Sequence, residues 1–346
     1  MAIEAVLIGL GALVLSLVLT GWVRRFALSK QMLDVPNARS SHTIPTPRGG
    51  GLAIVLASAA GFVAIHAIGG MATDLLIALL GGGSAVAIIG AIDDRRHVPA
   101  RVRLTVHFVA AIWALAWLGP PAFSFGANAI VASALSYVVS ALAIVWTLNL
   151  FNFMDGIDGI AAAEAVFIAW AAAALMMLGL LSSDIATASL VLGAACSGFL
   201  CWNWPPARIF MGDVGSGFLG FVLAVLALAA TRDDATASAA WLLLGGVFFV
   251  DATVTLLNRL VRRERLDQAH RTHAYQWLAR RWNSHRRVTL AVLAVNVAWL
   301  LPAAALASRN PRSAVWIVLI AFLPLTVVAL WAGAGRPEVA SNSEVR

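Results

Sequence analysis

A chain of 346 residues with 61% hydrophobic and only 12% charged side chains lies far from the roughly 25% charge of a soluble domain. That excludes a water-soluble globular enzyme and makes a polytopic, all-α membrane protein the expectation. No long polar linker divides the chain, so residues 1–335 read as one membrane domain and 336–346 as a disordered tail. The two cysteines, Cys196 and Cys201, share one apolar run and have neither framework nor zinc spacing, so they read as packed thiols.

Apolar stretches long enough for a membrane helix, roughly 17–25 residues, fall in chain order at 3–23, 50–68, 75–92, 104–119, 130–148, 160–181, 185–202, 217–231, 238–258, 289–307 and 313–333. These predict eleven helices, or ten if one of the short stretches 104–119, 185–202 and 217–231 is only partly embedded. The first has no basic segment before it and is followed by Trp22-Val23-Arg24-Arg25 rather than a small-residue cleavage site, so it reads as an anchor. With the N-terminus outside, 21 of the 24 Lys and Arg residues lie on the cytoplasmic side; only Arg232, Arg309 and Arg312 face the other way. The net charge of +7 is then a property of one face, which suits anionic lipid headgroups or a phosphorylated substrate rather than nucleic acid. Trp22, Trp146, Trp202 and Trp204 lie near predicted span ends, where interfacial belts form.

All the dense polar motifs fall in the gaps on that same face. The first gap, Asp34 to Gly51, holds three prolines that preclude a regular helix. It is either a turn-rich linker or a segment turning Arg39, His42 and Arg48 to an anionic ligand. Asp93-Asp94-Arg95-Arg96 ends the third span. Adjacent carboxylates are tolerated in water, beside arginines or beside a metal, so it is either a solvated helix end or a site. In Asn149-Leu-Phe-Asn152-Phe-Met-Asp155-Gly-Ile-Asp158-Gly, Asp155 and Asp158 project from one face of a helical turn. Asn149 and Asn152 repeat that spacing, and Gly156 and Gly159 leave room for a ligand. The loop has no basic residue, so its charge lacks a partner that Mg²⁺ would supply; a plain connector would not need this composition.

Met211-Gly-Asp213-Val-Gly-Ser-Gly217 runs straight into a span, so its amides are placed to meet phosphate at a helix N-terminus. It lacks the Lys-Ser/Thr of a Walker loop. Asp251 lies inside the ninth span toward its cytoplasmic end; an intramembrane carboxylate is functional or paired, and Arg259 two turns on is a candidate partner. Downstream, His270 and His273 share a helical face with Arg271 between them. This basic cluster suits a diphosphate better than zinc, against the plainer reading of an amphipathic surface helix. His66 and His107, alone within spans, read as packing residues.

Together these segments resemble the polyprenyl-phosphate N-acetylhexosamine-1-phosphate transferase family, glycosyltransferase family 4, over residues 34–276. Five motifs occur in order: Asp34-x-Pro-Asn…Pro-Arg48-Gly-Gly, Asp93-Asp94, Asn152-Phe-Met-Asp155-Gly-x-Asp158-Gly, Met211-Gly-Asp213-x-Gly-Ser, and Asp251 followed by the His270/His273 loop. The resemblance implies a bacterial inner-membrane enzyme that moves a sugar-1-phosphate from a UDP-N-acetylhexosamine to undecaprenyl phosphate and releases UMP. It implies dependence on Mg²⁺, with Mn²⁺ as a substitute, and allows a homodimer. Asp213 would be a metal ligand, with Asp94 and Asp155. Asp93, Asp94, Asp155 and Asp158 would be catalytic or position the nucleotide. Asn149, Asn152, Arg48, Asp251, His270, Arg271 and His273 would bind substrate. Ser40 stands where many relatives carry lysine, and His-Arg-Thr-His replaces the common His-x-His-His. The form His-Arg-Thr-His-Ala-Tyr-Gln looks like the subgroup that starts O-antigen and other surface polysaccharides, with N-acetylfucosamine or N-acetylquinovosamine beside N-acetylglucosamine as sugars.

Two other classes compete. A secondary transporter would carry its acids near the bilayer midplane on broken helices, whereas here only Asp251 is deep. A lipid phosphotransferase of the CDP-alcohol type would carry a longer Asp-Gly-x-x-Ala-Arg spacing, which the Asp155 loop lacks.

Overall fold

The computed structural model of the protein describes residues 2–36, 44–96, 98–122, 128–265 and 270–337. Its helices are α1 (Ala2–Ser29), α2 (Gly51–Ala67), α3 (Thr73–Asp93), α4 (Ala100–Leu118), α5 (Ala129–Met154), α6 (Ile160–Met177), α7 (Ala186–Asn203) and α8 (Asp213–Asp233). After these come α9 (Ala237–Leu244), α10 (Gly246–Val261), α11 (Ala274–Trp282), α12 (His285–Val295), α13 (Leu301–Arg309) and α14 (Ala314–Ala332). Strands β1 (Leu33–Asp34) and β2 (Thr46–Pro47) pair antiparallel as a two-stranded ribbon. The protein is therefore an all-α, multi-pass membrane protein, because in hydrocarbon only a helix satisfies its own backbone.

Every predicted apolar stretch is helical, but not every one is a plain span. Among the described residues nine helices are long and apolar enough to cross a membrane, and α9 with α10 makes a tenth only as a pair bent by 74°. The break falls at Gly245–Gly246, and glycine pairs are a standard cause of such kinks. Helix α2, at 17 residues, is a shorter apolar helix. Two of the stretches that looked short, 104–119 and 217–231, gain length from polar ends: α4 begins at Ala100 and α8 at Asp213, each four residues earlier than its hydrophobic run.

Lipid gives helices no hydrophobic reason to associate, so close contact relies on small residues. Helix α6 buries Ala161, Ala162, Ala165, Ala169 and Ala172 and packs on α7. Gly198 of α7 lies against the α1 backbone at Leu13 and Leu17, and Gly220 of α8 against that of α5 at Thr147 and Leu148. Helix α8 is the central element, buried along nearly all its length. Cys196 is packed as expected, whereas Cys201 is exposed, a correction that follows from its facing out of the bundle. At one end, Ser182 and Ser183 bind Asp234 and Asp233. The opposite end gathers the polar motifs.

Candidate active site

The site is assembled by two chain segments that zip together. The Phe210 amide donates to the Pro47 carbonyl at 2.8 Å, and Gly50 and Gly51 donate to Phe210 and Met211, each at 2.9 Å. Gly51 and Gly215 approach so closely that a Cβ on either would strike the other's backbone, and a Cβ on Gly90 would strike the Asp213 carbonyl. These glycines let the ends of α2, α3 and α8 share one point.

Asp94, just past α3 and 7% exposed, accepts the Asp213 amide at 3.0 Å and the Val214 amide at 3.2 Å. A carboxylate from another helix thus fills the first amides of α8, favoured there by the helix dipole. This corrects the expectation that those amides are open to phosphate. Burial raises the Asp94 carboxyl above its ordinary range, partly offset by the two amides and by Arg48. Asp93 accepts the Val98 amide and pairs with Arg103 at 2.6 Å, while the same guanidinium nitrogen reaches Asp213 at 2.9 Å. Sequence reasoning did not single out Arg103; its only signal was a basic residue near the start of the helix after Asp93-Asp94.

The Asn149–Met154 segment is not a loop: it forms the last turns of α5, whose 26 residues span about 39 Å at 1.5 Å each. Asn152 donates to Ser216 Oγ at 3.2 Å, and Asn149 Nδ2 lies 3.5 Å from His107 Nδ1. Arg103, His107, Asn149, Asn152 and Asp213 line a small cavity of about 40 Å³. His107 is buried, as a packing residue would be, yet it borders this cavity. Asp155 follows α5. Desolvation raises its carboxyl well above the ordinary value, and Asp213, Asp94 and Asp158 add to the shift. Among the described residues it accepts no hydrogen bond and forms no ion pair.

Gly156 and Gly159 serve protein contacts rather than a ligand, a second correction. A Cβ on Gly156 would overlap the Tyr275 hydroxyl and the Gln276 amide of α11. Gly159 adopts a left-handed φ of 76° and donates to Asn203 Oδ1 at 3.0 Å. Asp158 accepts the Ala207 amide at 3.0 Å and lies 3.3 Å from His285 Nδ1. It borders a polar cavity of about 640 Å³, also lined by Phe210, Arg271, Arg280, His285 and Arg286.

Asp251 does not meet Arg259, which pairs with Glu264 at 2.9 Å. It accepts the amides of Ala274 and Tyr275 at 2.8 and 2.9 Å and holds Thr255 Oγ1 at 3.1 Å. Its expected substrate contact is corrected: at 4% exposure it anchors the N-terminus of α11 from beneath. His270 and His273 do not share a helical face, because the helix begins only after His273, which caps it. Their rings still stack, with centroids 5.0 Å apart. His273 is 2% exposed, and its ring also stacks near Phe153 and Tyr275. Arg39, Ser40 and His42 lie outside the described residues.

Asp93 and Asp213 thus share Arg103, Asp94 caps α8 with Arg48 close by, and Asp155 lies within electrostatic reach of Asp94, Asp158 and Asp213. Among the described residues no three His, Cys, Asp or Glu side chains are already set as a metal's ligands. The donor chemistry still fits a hard divalent cation, which takes carboxylate and phosphate oxygens: Asp155 is an unpaired carboxylate amid other acids.

A sequence model described as "Glycosyl transferase family 4" matches residues 76–231. The chain is 29% identical over 319 residues, 90% of its length and 88% of the relative's, to a probable undecaprenyl-phosphate N-acetylglucosaminyl 1-phosphate transferase of Bacillus subtilis. It is 31% identical over 321 residues, 84% of its length and 79% of the relative's, to the decaprenyl-phosphate N-acetylglucosaminephosphotransferase of Mycolicibacterium smegmatis. A phospho-N-acetylmuramoyl-pentapeptide-transferase of Heliobacterium modesticaldum is 41% identical over 128 residues, 37% of this chain and 38% of that one.

Proposed function

The chain belongs to glycosyl transferase family 4, and from that premise we propose that it transfers an N-acetylhexosamine-1-phosphate from a UDP-sugar to undecaprenyl phosphate, releasing UMP. The site faces the cytoplasm of a bacterial plasma membrane, and the product starts a surface glycan of the O-antigen type. The observation that carries this reading is Asp155, at the end of a membrane helix, which among the described residues lies near Asp94, Asp158 and Asp213 without a paired cation. One substrate is dissolved in the bilayer and the other in water, so their meeting point has to be such a helix end.

In the reaction an oxygen of the lipid phosphate attacks the sugar-bearing phosphorus, the bond from that phosphorus to the bridging oxygen breaks, and UMP departs with that oxygen. When the lipid phosphate is dianionic no proton has to move, so the protein's task is positioning and charge neutralisation. Arg103 and Arg48 supply fixed positive charge among the acids. Asn149 and Asn152, one turn apart on α5, offer amides at the small cavity beside Asp213. Mg²⁺ or Mn²⁺, held by Asp213 with Asp155 and Asp94, would neutralise phosphate oxygens when bound. The 640 Å³ cavity suits the nucleotide-sugar, with Phe210 as an aromatic wall and Arg271 for the diphosphate. An apolar cavity of about 230 Å³ between α5, α6, α8, α9 and α10, lined by Phe151, Ile168, Trp241 and Phe249 among others, suits part of the prenyl chain.

The test is direct. Purified protein with Mg²⁺, undecaprenyl phosphate and a panel of UDP-sugars (N-acetylglucosamine, N-acetylfucosamine, N-acetylquinovosamine) is expected to release UMP with at least one. Asp213→Ala is expected to abolish release while the protein remains in the membrane. A well-folded sample that releases no UMP from any donor overturns the reading.

A further inference from the structure

The corner between α11 and α12 belongs to none of the motifs read from the sequence. Asn283, with a left-handed φ of 47°, turns the chain after α11. Ser284 then caps α12 by accepting the Arg287 amide at 3.2 Å, so that His285 becomes the first residue of the helix. From there the polar side chains His285, Thr289 and Asn296 fall four and seven residues apart, the spacing of a single helical face. That face meets α6 and the loop before it.

The upper two of these residues hold Asp158. His285 Nδ1 accepts the Asp158 amide at 3.4 Å when it carries no proton, or donates to an Asp158 carboxylate oxygen 3.3 Å away when it does. Thr289 Oγ1 donates to the Asp158 carbonyl at 3.3 Å, and the second carboxylate oxygen takes the Ala207 amide at 3.0 Å. Together these engage the carbonyl, one carboxylate oxygen, and either the amide or the other carboxylate oxygen of one residue, which restrains that side chain beside the 640 Å³ cavity.

The third residue sits in the membrane. Asn296 opens a π-helical turn, Asn296–Leu300, and donates to Glu164 Oε2. Both residues are at most 1% exposed, and among the described residues Glu164 Oε1 and Asn296 Oδ1 have no hydrogen-bond partner. A half-satisfied buried pair is a poor source of stability. It does penalise sliding: a shift of α12 by one residue would leave Glu164 with no partner at all, and π-bulges recur where a helix must present particular side chains.

We propose that α12 is a strut that positions Asp158 for the nucleotide-sugar, with His285 and Thr289 as positioning residues and Glu164–Asn296 as the register pin in the membrane. The inference rests on reading the 640 Å³ cavity as the donor site. In the full-length enzyme, His285→Ala and Thr289→Val are expected to raise the KM for the UDP-sugar about tenfold each, or about 1.4 kcal/mol. The kcat and the KM for undecaprenyl phosphate should stay within about twofold, because a bond lost from the donor-binding arrangement alone costs uniform binding. His285→Asn, which keeps a polar atom near the Nδ1 position, and Thr289→Ser are expected to restore most of the lost affinity. An unchanged donor KM in both His285→Ala and Thr289→Val overturns the strut, as does a loss of kcat that the conservative variants do not rescue. A second readout needs no donor. Hydrogen exchange at the Asp158 and Gly159 amides is expected to be slow in the wild type and faster in His285→Ala. If no UDP-sugar is turned over, the donor reading fails, and the exchange comparison still decides the strut: unchanged exchange overturns it.

Discussion

Asp94 and Asp251 do the same physical job at two places: each accepts the first amides of a helix that starts elsewhere in the chain. Nothing in either residue's neighbours in sequence announces this, because the helix it caps lies 119 residues away in one case and 23 in the other. The acids could be read as chemistry-bearing from their spacing; which of them carry the architecture could not. The glycines teach the same point. Gly156 is empty because Tyr275 occupies the space, and the Tyr275 hydroxyl donates to the Phe153 carbonyl at 3.0 Å. Gly156→Ala is therefore expected to cut UMP release by about tenfold or more, since overpacking costs roughly 1–3 kcal/mol. Tyr275→Phe in the same chain should recover part of the loss. Equal activity of Gly156→Ala and wild type would show that α11 yields freely.

For whole elements, hydropathy located helices well and ended them badly. Asn149, Asn152 and Asp213 are helical, yet hydropathy assigns them to loops, because a membrane helix may leave the hydrocarbon while its backbone ladder continues through polar residues. The break at Gly245 went unread for the opposite reason: an unbroken apolar run carries no mark of a 74° bend. The amphipathic helix considered for the His270/His273 stretch begins only at Ala274, and its docking left no mark in the sequence. Asp251 holds α11 by its first two amides, so Asp251→Ala is expected to cost about 1–2 kcal/mol, the upper range for a lost N-cap. Limited proteolysis reads this out as faster cleavage between α10 and α12. Cleavage at the wild-type rate would mean that the packing of Tyr275 and Ala279 alone retains α11.

For the molecule as a whole, 21 of 24 basic residues fall in gaps assigned to one side. The structure brings the polar gaps with the described motifs to one end of the bundle, because Arg48, Asp94 and Asp213 are linked there by bonds and charge and Asp155 lies within electrostatic reach of Asp94, Asp158 and Asp213. With that end in the cytoplasm, single cysteines at Arg262 and Arg312 in a chain lacking Cys196 and Cys201 should react with an impermeant maleimide from opposite faces of intact cells. Arg312 is expected to label from outside, and labelling of Arg262 from outside would reverse the proposed orientation.

By itself the sequence determined that the chain is a helical membrane protein and which residues carry the family's motifs, and its basic residues set the expected orientation. These follow from composition and local spacing, which lipid and the translocation of charge act upon directly. Only the tertiary structure decided that Asp94 and Asp251 are helix caps, that Arg103 bridges Asp93 and Asp213, that Gly156 is filled by Tyr275 and that His285 and Thr289 hold Asp158. Each of these is a contact between residues far apart along the chain, fixed by how small side chains let helices approach, and a pattern within one segment does not encode it.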